Sequence, residues 1–231
     1  MDYTQHQLFR PAKKTSLTFA EVADAIPIAF ERSEGKQPSL MTLAKLIAQS
    51  SLETGNYQHM WNYNFGNVKK RWSPDDGLLF TMFRCNEIIN GKVAWFDPPH
   101  LQTHFRAFET AADGVADWQR LILKGTRYAP AKALLLDDAA SGHDFAFKLG
   151  ECGYYTADKA LYSNAVNRLT ESTLVKLKAR GEAGAQPVPE EAAPLLTDAE
   201  RERIQGLIGL TAMDSVYDYF RGARSEEPGS V

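Results

Sequence analysis

Residues 39–55 read SLMTLAKLIAQSSLETG and carry the strongest helix signal in the chain. The apolar positions recur at the spacing i, i+3, i+4, i+7 and are Leu40, Leu43, Ala44 and Ile47. Ser39 is a favourable N-cap residue, and Gly55 suits the C′ position that follows a helix. We therefore expect a helix from Ser39 to Gly55 whose apolar stripe faces the core.

The sequence on both sides of this segment predicts further helices. One helix is expected from Thr18 to Phe30, with a kink or break at Pro27. The later helical patterns run after Thr110 to Gly125, over residues 131–136, after Ser141 to Gly150 and after Thr156 to Gly181. Most of the ordered chain is therefore expected to be helical.

A different pattern occurs between residues 78 and 96, where two runs favour strands. Asn90 and Gly91 lie between these runs and predict a two-residue hairpin turn. That turn would place Glu87 opposite Ala94 on the partner strand. We therefore expect a predominantly helical α+β domain with one small β-hairpin.

The composition is that of a globular protein and excludes several classes. The chain has 231 residues, of which 44% are hydrophobic and 24% charged. The net charge of −3 implies no basic face, so a nucleic-acid partner is not expected. The two cysteines, Cys85 and Cys152, are too few for a disulfide-rich miniprotein or a four-cysteine zinc site. Buried free thiols are expected, with a disulfide between them as the alternative.

The beginning of the chain, MDYTQHQLFRPAKK, contains no apolar run, and no stretch of 18 consecutive apolar residues occurs anywhere. The sequence therefore predicts a protein made in the cytoplasm without a signal peptide and without membrane insertion. A substrate outside the cell would then require delivery by other means, such as a phage or a secretion system.

Four segments can be separated along the chain. Residues 1–17 are polar, residues 18–180 form the predicted domain, and residues 181–196 read as a linker rich in Gly, Ala, Pro and Glu. Residues 197–231 are expected to hold a C-terminal helix and tail, opened by the capping-box sequence TDAE. This helix would pack on the domain or self-associate, or alternatively dock to a delivery machine.

Glu53 is the first candidate catalytic residue. It lies about 130° around the helix from the apolar stripe, beside Gln49 and Ser50. It also falls in the last turn, where the helix dipole disfavours a carboxylate. The dipole and partial burial would both raise the pKa of Glu53, which suits a general acid. A solvated surface glutamate is the alternative interpretation of this position.

Glu87 is the second candidate, on the expected hairpin. The small side chain of Ala94 opposite it would leave space above the sheet, as in the wall of a cleft. A carboxylate at a helix end and another on a hairpin make a possible pair for glycoside hydrolysis. An ordinary exposed charge on a hairpin is the alternative interpretation.

The loop between these two acids combines aromatic rings with side-chain amides. The rings belong to Tyr57, Trp61, Tyr63, Phe65 and Trp72, and the amides to Asn56, Asn62, Asn64 and Asn67. Such residues can stack on sugar faces and bind hydroxyl or acetamido groups. About half of the rings are expected to pack structurally under the loop.

A metal site is not expected from the histidines. His100 and His104 have the i, i+4 spacing of helical metal ligands. They follow Pro98-Pro99, however, and residues 105–108 favour a strand. No metal site is therefore predicted at these histidines.

Two runs of this sequence resemble the signature of lysozyme-superfamily glucosaminidases of the glycoside hydrolase family 73 type. They are AQSSLETG at 48–55 and NYNFGNVK at 62–69. Further similar motifs follow in the family's order: EIING at 87–91, HFRAF at 104–108, RY at 127–128, and GYYTAD at 153–158 with Tyr162 after it. The resemblance spans about residues 43–169. The NYNFGN loop and the inserted Ala157 depart from the family pattern, and the loop is similar to that of a phage- and secretion-associated branch.

The resemblance implies roles for individual residues. Glu53 would be the general acid, and Glu87 would activate water or stabilise positive charge at the anomeric carbon. Tyr154, with Tyr155 as the alternate, would be the active-site tyrosine. The substrate-binding residues implied are Trp61, Tyr63, Asn64, Phe65, Tyr128 and Tyr155.

The resemblance also implies a fold, an activity and partners. The fold would be lysozyme-like, and the activity would be hydrolysis of β-1,4 bonds in peptidoglycan glycan strands by an endo-β-N-acetylglucosaminidase without a cofactor. A muramidase or lytic transglycosylase is the nearest alternative, and a non-catalytic wall-binding or phage-structural module is the competing class. The expected partner is peptidoglycan, and a delivery machine or an immunity protein is a possible further partner.

Overall fold

The structure, a computed structural model, describes residues 3–70, 77–89 and 92–182. Trp72, the expected Asn90-Gly91 turn, most of the linker and the C-terminal helix lie outside these residues. Within the described ranges the helices are α1 (Phe19–Glu34), α2 (Leu40–Glu53), α3 (Ala111–Lys124), α4 (Ala129–Leu136), α5 (Gly142–Glu151) and α6 (Lys159–Glu182). The strands are β1 (Phe80–Met82), β2 (Cys85–Ile89), β3 (Lys92–Phe96) and β4 (His104–Arg106). The predicted α+β class with predominant helix is confirmed.

The predicted ends of α2 agree with its capping contacts. The Ser39 Oγ accepts a hydrogen bond from the Thr42 backbone N–H at 3.0 Å, which satisfies one of the unpaired donors of the first turn. Thr54 is the C-cap residue, and Gly55 follows it with φ of 55°, in the left-handed region that favours glycine. The helix therefore stops directly after Glu53.

The other helices also agree closely with the prediction, with two differences. α1 begins after the capping box of Thr18 and Glu21 but runs on to Glu34, so Pro27 lies inside a continuous helix. Burial of Ile26 and Phe30 on both sides of the proline holds the helix together despite the missing N–H. α6 begins at Lys159, because the Asp158 carboxylate accepts from the Leu161 N–H at 2.9 Å.

The hairpin has the predicted register. β2 and β3 pair antiparallel, with Glu87 opposite Ala94 and Ile89 opposite Lys92. The sequence did not predict the second pair of strands, in which β1 and β4 are antiparallel partners. These strands are three residues long and far apart in the chain, so their pairing leaves almost no local pattern.

α2 lies at the centre of the helical body. Eleven of its 14 residues are buried, and α1, α4, α5 and α6 pack around it. Leu40, which the apolar stripe places in the core, is instead 42% exposed, whereas the polar Gln49 and Glu53 are buried. A helix that is surrounded by other helices has no side that faces solvent, so its polar residues are buried as well as its apolar ones.

Lys45 shows how polar groups are accommodated inside this body. Its residue exposure is 0%, and its Nζ donates to the carbonyl oxygens of Leu134 at 2.9 Å and Asp137 at 2.7 Å. These carbonyls belong to the C-terminal end of α4, where the helix supplies no partner. Burial lowers the pKa of Lys45, and the nearby carboxylates of Asp137 and Asp138 oppose that effect.

We predict that Lys45→Met lowers the free energy of unfolding by about 2 kcal/mol, because two buried carbonyls lose their donor. Urea denaturation followed by far-UV circular dichroism measures the change. Lys36→Met, at an exposed position, is the matched control and should stay within about 0.5 kcal/mol of the wild type. Equal stability of the two variants would contradict a capping role for Lys45.

Candidate functional site

Glu53 is buried at the end of α2. Its residue exposure is 6%, and burial raises the pKa of its carboxyl group to about 7. Hydrogen bonds from Tyr162 and Gln49 act in the opposite direction, because they stabilise the charged form. The group therefore holds its proton up to near-neutral pH and can release it there, which is the property required of a general acid.

The two oxygens of Glu53 have different surroundings. The Tyr162 hydroxyl donates to Oε1 at 2.6 Å, and the Gln49 Nε2 donates to the same oxygen at 3.3 Å. Among the described residues no donor reaches Oε2. Since Oε1 already accepts two bonds, Oε2 is the oxygen that can carry the proton.

Tyr162 is itself held in place by its neighbours. It lies in the first turn of α6, and Gln49 Nε2 donates to its hydroxyl at 3.1 Å. The ring of Tyr155 stacks on that of Tyr162 with centroids 3.7 Å apart and planes 19° apart. The Tyr155 hydroxyl donates to the Ala146 carbonyl at 2.9 Å, away from the acid. Tyr155 thus supports the ring that contacts Glu53.

Tyr154 joins the loop after α2 to the loop before α6. Its hydroxyl donates to the Gly66 carbonyl at 3.2 Å, and the edge of its ring meets Tyr128 with centroids 5.8 Å apart. A side chain at Gly66 would bring its Cβ within 2.5 Å of that hydroxyl, so glycine is required at this close approach. Burial and the nearby Glu53 carboxyl raise the pKa of Tyr154, so its hydroxyl keeps its proton.

Glu53 lines a pocket between the aromatic loop and the strands. The empty space is about 250 Å³, part of it open to solvent. Besides Glu53, the lining residues are Thr54, His59, Met60, Trp61, Asn64, Asn67, Phe83, Phe105 and Arg106. The pocket thus combines one carboxyl group with aromatic rings, side-chain amides and one guanidinium group.

The two asparagines in the lining have different hydrogen-bonding states. Asn64 uses both ends of its amide on Val68, accepting from its N–H at 2.8 Å and donating to its carbonyl at 3.0 Å. Asn67 has no side-chain partner among the described residues. Asn64 therefore shapes the loop, and Asn67 offers a free amide to a ligand.

Two of the aromatic residues predicted to bind substrate have packing roles. Phe65 is fully buried in the core, where its ring stacks on Trp118 with centroids 6.3 Å apart. Tyr63 packs against the same core, and its backbone carbonyl lies against Gly114. Trp61 instead lines the pocket, and its ring contacts Phe83. The structure thus brings Trp61 and Asn64 to the pocket with Glu53.

Glu87 forms an ion pair with Lys69 and is not among the described residues that line the pocket. The same Lys69 Nζ lies 3.4 Å from the Cys85 Sγ and 5.3 Å from the centroid of the Phe105 ring. A catalytic role for Glu87 stays a prediction.

The remaining candidate ligands have other surroundings. Cys85 and Cys152 are both free thiols. His104 is buried, and its ring stacks on Phe80 with centroids 4.7 Å apart. Within the described residues there is no group of three or more metal-ligating side chains that could hold a metal ion. The same part of the chain contains no helix long and apolar enough to cross a membrane.

Tyr162 and Arg106 were not assigned a role from the sequence, and Asn67 was predicted there only as one of several loop amides. Tyr162 carried a signal, since it follows the GYYTAD motif. Asn67 is one of the loop amides and Arg106 belongs to the HFRAF motif, but neither pattern indicates which side chain faces a pocket. Which of these side chains faces the pocket depends on how segments that are far apart in the chain pack together.

No protein-family profile matches this chain, and no curated protein does. Among solved structures, the chain is similar to a peptidoglycan hydrolase mutant from Sphingomonas sp. A1, with 22% identity and a TM-score of 0.49 over 69% of this chain and 99% of that one. It is also similar to a C-terminally truncated glycoside hydrolase domain of Salmonella typhimurium FlgJ, with 23% identity and a TM-score of 0.42 over 69% of this chain and 97% of that one.

We predict that Tyr162→Phe raises the pKa of Glu53 above about 7, by about one unit, because the ionised carboxylate loses its shortest hydrogen bond. Carbon-13 NMR of glutamate-labelled protein, with Glu53→Gln to assign the signal, follows the titration. Tyr155→Phe is the matched control, since its hydroxyl does not bond Glu53. An unchanged titration in Tyr162→Phe would argue against this contact.

We also predict a pH-dependent stability difference for Glu53→Gln. Because the folded-state pKa of Glu53 is raised, its stabilising contribution is complete below pH 4.5 and is lost as the pH rises through about 7. The variant does not ionise, so between about pH 4 and about pH 8 it gains about 3 kcal/mol of unfolding free energy relative to the wild type.

Urea denaturation across this pH range measures the difference. Glu21→Gln is a control of opposite sign, because the Thr18 cap lowers the pKa of Glu21. A constant difference between Glu53→Gln and the wild type across the range would mean that Glu53 titrates normally.

Proposed function

We propose that this protein is a glycoside hydrolase that cleaves β-1,4 bonds in the glycan strands of peptidoglycan, with Glu53 as the general acid. The observation that carries the proposal is the buried Glu53 carboxyl group, whose pKa is about 7, at the wall of a pocket lined by rings and amides. Glycosidic cleavage requires a carboxylic acid that is still protonated near neutral pH, because the leaving oxygen must receive a proton.

The lining of the pocket supports a sugar as the ligand. Trp61 is partly exposed and offers apolar ring surface, which matches the face of a pyranose ring. Phe83 and Phe105 are buried and support the ring of Trp61 from below. The free amide of Asn67 can bond hydroxyl or acetamido groups. Together with the motifs at 48–55, 62–69 and 153–158, which resemble those of glucosaminidases, these features favour N-acetylated glycan strands.

Within this activity we infer an endo-β-N-acetylglucosaminidase. The proton on Glu53 Oε2 would pass to the glycosidic oxygen, while Oε1 stays bonded to Tyr162 and Gln49. The positive charge that develops at the anomeric carbon then needs a nucleophile or a stabilising anion. Glu87 can serve in either way if its ion pair with Lys69 yields, and the acetamido group of the substrate is the other available nucleophile.

A lytic transglycosylase is the second candidate, and one observation favours it. Glu53 is the single carboxyl group among the described residues that line the pocket. A site that works with one acid can form the anhydro product by internal attack, without a second carboxylate to activate water. A muramidase would use the same site on the other type of glycosidic bond.

We predict that the wild type releases fragments from purified peptidoglycan and that Glu53→Gln loses at least about 10³-fold of this activity, because no group replaces the proton donor. Mass spectrometry of borohydride-reduced products identifies the bond. Reduced N-acetylglucosamine ends support a glucosaminidase, reduced N-acetylmuramic ends a muramidase, and anhydro-muramic ends a transglycosylase. Binding to peptidoglycan without products would favour a non-catalytic wall-binding module.

Glu87→Gln in the same assay separates the two mechanisms. A loss comparable to that of Glu53→Gln supports a two-carboxylate hydrolase, whereas near wild-type activity supports a one-acid reaction or assistance by the substrate. Lys69→Met is the matched control, because it removes the ion-pair partner while it leaves the Glu87 carboxylate in place.

A further inference from the structure

Arg106 is a pocket residue that the role of Glu53 leaves unexplained. It lies on β4, its side chain is 19% exposed, and it lines the pocket together with Glu53, Trp61 and Asn67. A guanidinium group is charged at every physiological pH. A cation beside a binding pocket therefore needs either a protein partner or an anionic ligand.

The protein partner of Arg106 leaves most of its donors unused. Nη1 donates to the Asp117 Oδ2 at 2.6 Å, and the Arg120 Nη2 donates to the Asp117 Oδ1 at 2.9 Å. One carboxylate thus serves two guanidinium groups, and the cluster keeps a net charge of about +1. Among the described residues, Nε and Nη2 of Arg106 have no hydrogen-bond partner.

The position of these donors limits the ligand. The Nε is shielded from solvent and Nη1 already donates to Asp117, so a ligand of Arg106 is reached from the end of the guanidinium group, through Nη2 above all. A guanidinium edge with parallel donors matches the two oxygens of a carboxylate. Glu53 does not occupy this edge, because its oxygen Oε1 is bonded to Tyr162 and Gln49 and no donor of the described residues, Arg106 included, reaches Oε2.

We propose that Arg106 binds a carboxylate of the glycan substrate and so distinguishes peptidoglycan from neutral N-acetylglucosamine polymers. This inference rests on the proposed function and names a specificity-determining residue for it. Peptidoglycan offers two such groups, the lactyl carboxylate of muramic acid where no peptide is attached and the carboxylates of the peptide stem. Chitin-type oligosaccharides have neither.

Calorimetric binding to the Glu53→Gln protein tests the proposal without turnover. The probes are chitotetraose, the stem-free tetrasaccharide of alternating N-acetylglucosamine and N-acetylmuramic acid, and the same tetrasaccharide with peptide stems. Adding Arg106→Gln should weaken binding of at least one carboxylate-bearing probe by about tenfold and binding of chitotetraose by less than about twofold. A loss on the stem-free probe alone assigns the lactyl carboxylate, and a loss on the stem-bearing probe alone assigns the stem.

Arg120→Gln is the matched control. Its guanidinium also pairs with Asp117, but its side chain is 66% exposed and does not line the pocket. It should leave the affinity for all three probes unchanged. The double variant Arg106→Gln with Asp117→Asn removes the buried carboxylate that would otherwise lose its partner, and it should reproduce the selective loss.

Three results would overturn the inference. Equal weakening of all three probes would mean that Arg106 only supports the pocket. If Arg120→Gln showed the same selective loss, the loss would come from the positive charge near the pocket and not from a contact between Arg106 and the ligand. Failure of the Glu53→Gln protein to bind any of the glycans would overturn the proposed function as well, which separates that outcome from the other two.

Discussion

The hydrogen bond from the Tyr162 hydroxyl to the Glu53 Oε1, 2.6 Å long, is the contact on which the candidate site depends. It links the end of α2 to the first turn of α6, across 109 residues of sequence. Burial alone would penalise the charged form of Glu53 strongly, and this bond offsets part of the penalty. The opposition of these two effects brings the pKa of the acid close to neutrality.

This arrangement is feasible because polar side chains inside the helical body find partners within it. Gln49 bonds both Glu53 and Tyr162 through its Nε2, although its Oε1 has no partner among the described residues, and Lys45 bonds the end of α4. The Ser50 Oγ lies 2.7 Å from the Tyr57 hydroxyl, which fixes the turn that follows the acid. Buried polar networks whose members are bonded specify one arrangement of their helices. The same contacts that stabilise α2 therefore position Glu53.

The sequence predicts the features that depend on neighbouring residues. The cap at Ser39 and the hairpin register that sets Glu87 opposite Ala94 follow from short patterns, and both occur in the structure. The exposure of Leu40 and the pairing of β1 with β4 were not predicted, because they depend on segments far apart in the chain. The burial of Glu53 is of the same kind, since Tyr162 contributes to it from α6. Local patterns thus indicated the acid, and tertiary packing determines its chemistry.

The ion pair of Arg106 with Asp117 resolves a conflict within the pocket. A cation close to Glu53 would favour the ionised carboxylate and lower its pKa. Arg106 nevertheless lines the same pocket and is not among the groups that shift the pKa of Glu53. The Asp117 carboxylate, 2.6 Å from the Arg106 Nη1, offsets part of the guanidinium charge, and no hydrogen bond or ion pair joins Arg106 to Glu53 among the described residues. The pocket can therefore present a cation to a ligand and still keep its acid protonated.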